Sequence, residues 1–184
     1  MKDQLQALRS HQSRKSAAMN LVRVVQARNT KNAMGDKIFQ AIIESPKGDN
    51  RRRHFDKGTN RVVDIEPLKN VIPVNNGIAP VNYGLLVGTH CEADDEEVDV
   101  LIISENKLKI GQKIKVYPIA LMQRKDGDDK ILASDESVME KYKEWGNLSG
   151  KERELIRKFF SYHHKFYAIK NRVEAIKYIE RHGI

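Results

Sequence analysis

Apolar residues along this chain fall into short runs, and their spacing changes character about two thirds of the way through. Ile38, Phe39, Ala41, Ile42 and Ile43 mark a strand over Lys37 to Glu44, which runs into the turn cluster Pro46-Lys47-Gly48-Asp49-Asn50. Arg51 to Phe55 reads as extended and Arg61 to Ile65 as a further short strand. Pro67 to Pro80 reads as a loop-rich stretch broken at Pro73 and Asn75-Asn76-Gly77. Val81 to Gly88, Val98 to Ile103, Lys113 to Met122 and Lys130 to Ala133 complete the series, with Asp126-Gly127 as the hairpin signal between the last two. Five or six short, closely spaced strands over residues 37 to 133 predict a small barrel. Val98 to Ile103 is apolar on both faces, so that strand is expected to be central and buried.

The C-terminal third has helical spacing. Ser137 to Tyr142 is expected to begin helically and Trp145-Gly146-Asn147 to break the helix. Ser149 to Tyr167 is expected to form an amphipathic helix whose Leu155, Ile156, Phe159, Phe160, Phe166 and Tyr167 pack against the barrel. Val173, Ile176 and Ile179 mark a last short helix. The class predicted is therefore α+β, mainly β, with flanking C-terminal helices.

Length and composition add bounds. At 184 residues without an internal repeat, the chain is expected to hold one domain, residues 37–184, preceded by a basic N-terminal arm, residues 1–36. The apolar runs fall far short of the ~20 residues of a membrane helix, which excludes a membrane partner of that kind. The single cysteine, Cys91, excludes an internal disulfide and fits a reducing compartment, so a cytoplasmic location is expected. The Arg-rich, acid-poor arm is also compatible with organelle targeting. The net charge of +8 divides into +6 over residues 1–40, −3 over 41–136 and +5 over 137–184. Its basic ends suit a polyanion held by metal and Lys/Arg together at least as well as they suit nucleic acid, which is not the favoured partner.

Chemistry concentrates at Asp94-Asp95-Glu96-Glu97-Val98-Asp99, five acids in six positions immediately before the most apolar strand. Such a run is either a solvated acidic turn or a cation site, because like charges this close raise one another's pKa. A buried strand directly behind it favours the second, with Asp94 and Asp99 converging on a hard cation. Asp126-Gly127-Asp128-Asp129 supplies further carboxylates at a hairpin. In an extended Arg51-Arg52-Arg53, alternate side chains point to opposite faces, so at least one arginine can face a pocket and donate bidentately to phosphate. His163 and His164, about 100° apart on a helix, are surface or boundary residues unless one turns to the site.

Ile43-Glu44-Ser45-Pro46-Lys47-Gly48, Pro80-Val81-Asn82-Tyr83-Gly84, Asp94 to Val100 and Gly127-Asp128-Asp129-Lys130 together resemble the family I soluble inorganic pyrophosphatases, in order and spacing from about residue 38 to 168. The resemblance implies a small closed OB-like five-stranded barrel whose mouth binds Mg²⁺ and hydrolyses pyrophosphate to two phosphates, in a protein that forms homo-oligomers. Mn²⁺ or Zn²⁺ are the expected substitutes for Mg²⁺. By position it implies Asp94, Asp99, Asp128 and Glu44 as metal residues, with Glu96 and Asp94 in catalysis. Arg52, Lys69, Tyr83, Lys130 and His163 are implied on the substrate. The sequence departs from the family pattern in having Glu96 for an aspartate, Arg52 and His54 for a Lys-x-Glu pair, and Gln123 or Arg124 where a further metal aspartate belongs, with Asp126 as the residue that could reach across in its stead. His163-His164 replaces a Tyr-Lys pair. A catalytically impaired relative that binds a phosphorylated ligand, nucleic acid or a protein is the alternative these departures allow.

Overall fold

The computed structural model describes residues 37–184, and the expected basic arm lies outside the described residues. Five strands close the barrel: β1 (Phe39–Ser45), β4 (Asn82–Leu86), β5 (Asp99–Ile103), β7 (Lys130–Ser134) and β6 (Lys113–Arg124), the last returning to pair with β1. β5 and β7 run parallel, and the other barrel neighbours run antiparallel. The expected closed five-stranded barrel is therefore what the chain forms.

Two packed layers explain why β5 is apolar on both sides. Val100 and Ile102 join Ala41, Ile43, Leu86, Val116 and Ile131 in a cluster drawn from all five barrel strands, which is the barrel interior. Leu101 faces the other way, into a cluster with Leu132, Met122, Leu148 and Ile156 on the outer face of the wall. All three β5 residues are fully buried. β2 (Arg51–Asp56) and β3 (Arg61–Pro67) form a separate two-stranded hairpin, followed by the single turn α1 (Leu68–Val71).

The C-terminal third differs from its predicted pattern. α2 spans only Gly150–Phe160, capped by Ser149 and Glu152 in a reciprocal capping box, and it stops at Ser161. Phe166 and Tyr167 instead open a strand, β8 (Phe166–Lys170), which pairs antiparallel with the far end of β6. β6 is twelve residues long and outruns β7, so its exposed backbone edge offers hydrogen bonds that override helical spacing in this short segment. Residues 137–142 form turns rather than a helix, because the carboxylate of Asp135 accepts from both the backbone N–H and the hydroxyl of Ser137. The last helix, α3 (Arg172–Arg181), forms as expected and sends Ala175 and Ile179 into the barrel cluster. No helix among the described residues is long and apolar enough to cross a membrane.

Gly84 fixes the fit of β4 against β1. It pairs with Ile43 on one side and Val100 on the other, and a Cβ at this position would run into the Ile42 carbonyl oxygen. That obstacle is backbone on a central strand, so it cannot swing aside. Gly84→Ala is expected to cost about 3 kcal/mol or more in urea unfolding; a loss under 1 kcal/mol would show that the two strands have slack.

Candidate active site

Register places the chemistry on one face. Tyr83 pairs with Leu101 and Leu101 with Leu132, so Tyr83, Asp99 and Lys130, each two residues away or directly paired, point to the same outer face of the wall. Glu44 sits beside them, at the irregularity between Ile43 and Ser45 where β1 meets β4. The site thus lies on the outer surface of the barrel wall rather than at an open barrel end. The β2–β3 hairpin, α1 and the segment after α2 complete a cavity of about 680 Å³ over it.

Asp94, Asp99 and Asp128 form its acidic centre, with one oxygen of each lying within 4.8 Å of the others. Asp99 is buried at the start of β5, whereas Asp94 is exposed in the preceding loop and accepts from the Glu96 N–H at 3.3 Å. Lys130 Nζ donates to both Asp99 and Asp128, the latter at 2.6 Å. Burial works against the ammonium, but the two carboxylates outweigh it and hold its pKa above the usual lysine value. Tyr83, stacked on Phe160 at 5.9 Å, has its hydroxyl pushed well up by burial and by the Asp99 and Glu44 charges.

Glu44 is the most perturbed carboxyl here. It is 4% exposed, accepts from the Phe55 N–H at 2.7 Å, and has its pKa raised to about 8, first by burial and then by the charge of Asp99. Glu96 lies on the cavity wall 3.6 Å from His54 Nδ1. Burial raises the pKa of Glu96, and Asp94 and Asp99 add to the effect against the opposing pull of His54.

The cationic side is distributed differently from the sequence expectation. Arg52 and Arg53 both line the cavity, although adjacent residues of a regular strand face opposite ways. A break in the β2–β3 register between them, a β-bulge, turns both to one side. Arg53 is held by Asp49 at 2.7 Å and Asp64 at 2.5 Å, while Arg52 makes a looser pair with Glu66 at 3.7 Å. His163 and His164 both line the cavity, and His164 Nδ1 lies 3.4 Å from Asp126. Lys69 does not line it. Leu68 and Val71 of the single turn α1, and Ile72 just after it, face the cavity, and Lys69, about 100° from Leu68, points to solvent with its backbone pressed against Gly77.

Sequence reasoning left Arg53 without a role of its own, and no local signal marks the bulge that brings it in. Arg124 was legible only as a departure. In the fold its guanidinium lies 3.1 Å from Asp128 and 2.7 Å from Asp126.

A wall of carboxylates facing lysine, arginine and tyrosine on a closed mixed barrel offers oxygen donors suited to a hard cation beside N–H and O–H donors suited to an oxyanion. Residues 41–182 match the family model described as inorganic pyrophosphatase, and the chain belongs to that family. An inorganic pyrophosphatase of Aeropyrum pernix is 26% identical over 133 residues, covering 68% of this chain and 72% of the relative. A soluble inorganic pyrophosphatase 1 of Arabidopsis thaliana is 29% identical over 156 residues, covering 77% and 71%. The crystal structure of an inorganic pyrophosphatase from Ehrlichia chaffeensis superposes with a TM-score of 0.70 at 25% identity, over 79% of this chain and 93% of that one.

The raised pKa of Glu44 carries a linkage consequence for the metal-free chain. The unfolded state ionises near the ordinary value of 4.5 and the folded state near 8, so the folded state binds more protons between those values. The contribution of Glu44 to stability therefore falls as pH rises from about 4.5 to about 8. Glu44→Gln keeps an acceptor for the Phe55 N–H but removes the titration. In EDTA, the stability difference between Glu44→Gln and the native chain is expected to grow in favour of the variant across that range, by a few kcal/mol at most. Parallel stability curves in urea would contradict it.

Proposed function

We propose that the chain hydrolyses inorganic pyrophosphate to two phosphates with Mg²⁺ as its divalent ion. The observation that carries this reading is the convergence of Asp94, Asp99 and Asp128 beside Lys130 and Tyr83, in a chain of the inorganic pyrophosphatase family. The donors on offer are all carboxylate oxygens, which fit a hard cation such as Mg²⁺, with Mn²⁺ or Zn²⁺ as substitutes. In this reading Asp94, Asp99 and Asp128 hold the metal, and Glu44 supports it from the buried side. A bound divalent ion supplies acidification of water and neutralisation of phosphoryl charge.

The chain's own groups do the rest. Glu96, on the cavity wall with its pKa raised by burial, accepts the proton of the attacking water as its oxygen bonds to phosphorus and the bridging P–O bond breaks. Asp94 accepts the Glu96 backbone N–H and so steadies the loop that carries this base. Lys130, Arg52, Tyr83 and His163 surround the cavity as donors to phosphoryl oxygens, where a fixed donor is worth most as charge develops on the transferred group. Lys69 is left out of this set because it lies off the cavity.

A second reading, a protein of this fold that binds a phosphorylated ligand without turning it over, is favoured by the same absence of Lys69 from the wall. Phosphate release from pyrophosphate, with and without Mg²⁺, separates the two. Metal-dependent turnover is expected in the native chain. Asp99→Asn is expected to lose more than the roughly 10- to 100-fold that removal of an outer-sphere partner costs. A folded native chain that releases no phosphate with Mg²⁺, Mn²⁺ or Zn²⁺ would overturn the enzymatic reading and select the binding one.

A further inference from the structure

Arg124 is the last residue of β6, and its side chain is nine-tenths buried at the edge of the cavity. Its backbone N–H donates to Asp129 Oδ1 at 2.7 Å, which fixes the root of the side chain. From there the two terminal nitrogens reach Asp128 at 3.1 Å and Asp126 at 2.7 Å, so one guanidinium bridges two carboxylates of the hairpin. Its Nε is buried with no hydrogen-bond partner. Buried donors are almost always satisfied, so this side chain is drawn inward by the two carboxylates and not by a full set of its own hydrogen bonds.

Asp128 also receives Lys130, and Lys130 in turn reaches Asp99. Three carboxylates, Asp99, Asp126 and Asp128, are therefore already served by two resident cations. A guanidinium keeps its charge at any working pH, and a metal ion on the same Asp126 and Asp128 oxygens would have to displace it. We propose that Arg124 is a built-in cation that takes the place of one divalent ion at the Asp126–Asp128 side of the cavity, leaving Asp94, Asp99 and Asp128 to hold metal at the other. It presents the second N–H of each terminal nitrogen to a phosphoryl oxygen of the ligand as a monovalent substitute for that ion. The inference rests on the reading of the cavity as a divalent-cation site, and it sets how many ions the chain takes.

The test counts bound Mn²⁺ per chain by equilibrium dialysis with electron paramagnetic resonance of the free ion, on the full chain without substrate. Arg124→Gln removes the charge at similar length and is expected to bind one Mn²⁺ more than the native chain. Asp126→Asn, made in the native background, is expected to leave the count unchanged, because Asp126 is engaged by Arg124 and not by metal. An unchanged count in Arg124→Gln, or a count lowered by one in Asp126→Asn, would overturn the proposal. The Asp126→Asn result decides it alone if Arg124→Gln does not fold. Ion counts do not depend on turnover, so a chain that releases no phosphate but gains an ion in Arg124→Gln upholds this inference while the catalytic reading fails.

Discussion

Repulsion among carboxylates that the fold forces together governs this site. Glu44 and Asp99 are buried on adjoining parts of the wall, and Asp128 and Asp94 converge on Asp99 from two loops. At Glu44 and Asp99, which are almost fully out of water, a charge must be cancelled locally or given up. The chain does both. Lys130 is buried between Asp99 and Asp128, and Glu44 is held as the acid up to about pH 8. A centre balanced in this way is chemically suited to a cation, because added positive charge offsets repulsion among the carboxylates.

The barrel makes this compression possible. β5 is buried on both faces, which anchors Asp99 at a fixed point, and the parallel pairing of β5 with β7 sets Lys130 beside it. Gly84 lets β4 close on β1, which in turn sets Tyr83 next to Glu44. Loops then supply what must adapt: Glu96 and Asp94 from the turn before β5, and Asp126 and Asp128 from the β6–β7 hairpin. Glu96 carries one more methylene than the aspartate of the resembling pattern, on a backbone pinned by its carbonyl to the Cys91 N–H at 2.7 Å and by its N–H to Asp94 at 3.3 Å.

Much of this was legible in the residues. The run Val98 to Ile103 declared a central strand, and Asp126-Gly127 declared the hairpin that delivers Asp128 and Lys130. The acids of Asp94 to Asp99 are local in sequence, so their convergence needed only one turn. Features that failed to show depend on partners distant in the chain. Phe166 and Tyr167 continue a helical pattern, yet the free edge of β6 makes them a strand. Arg53 reaches the cavity through a bulge that depends on how β3 pairs with β2. Lys69 has the charge expected of a phosphate ligand, and a single helical turn aims it away.

The most direct test of the carboxylate centre is a crystal structure of the full chain soaked in Mn²⁺, read by anomalous diffraction. A peak within coordinating distance of Asp94, Asp99 and Asp128 is the expected result, with Lys130 withdrawn from at least one of the two carboxylates it now bridges. An empty centre, with Lys130 still on Asp99 and Asp128 at saturating Mn²⁺, would show that internal pairing satisfies these acids and would contradict a metal-based chemistry for the site.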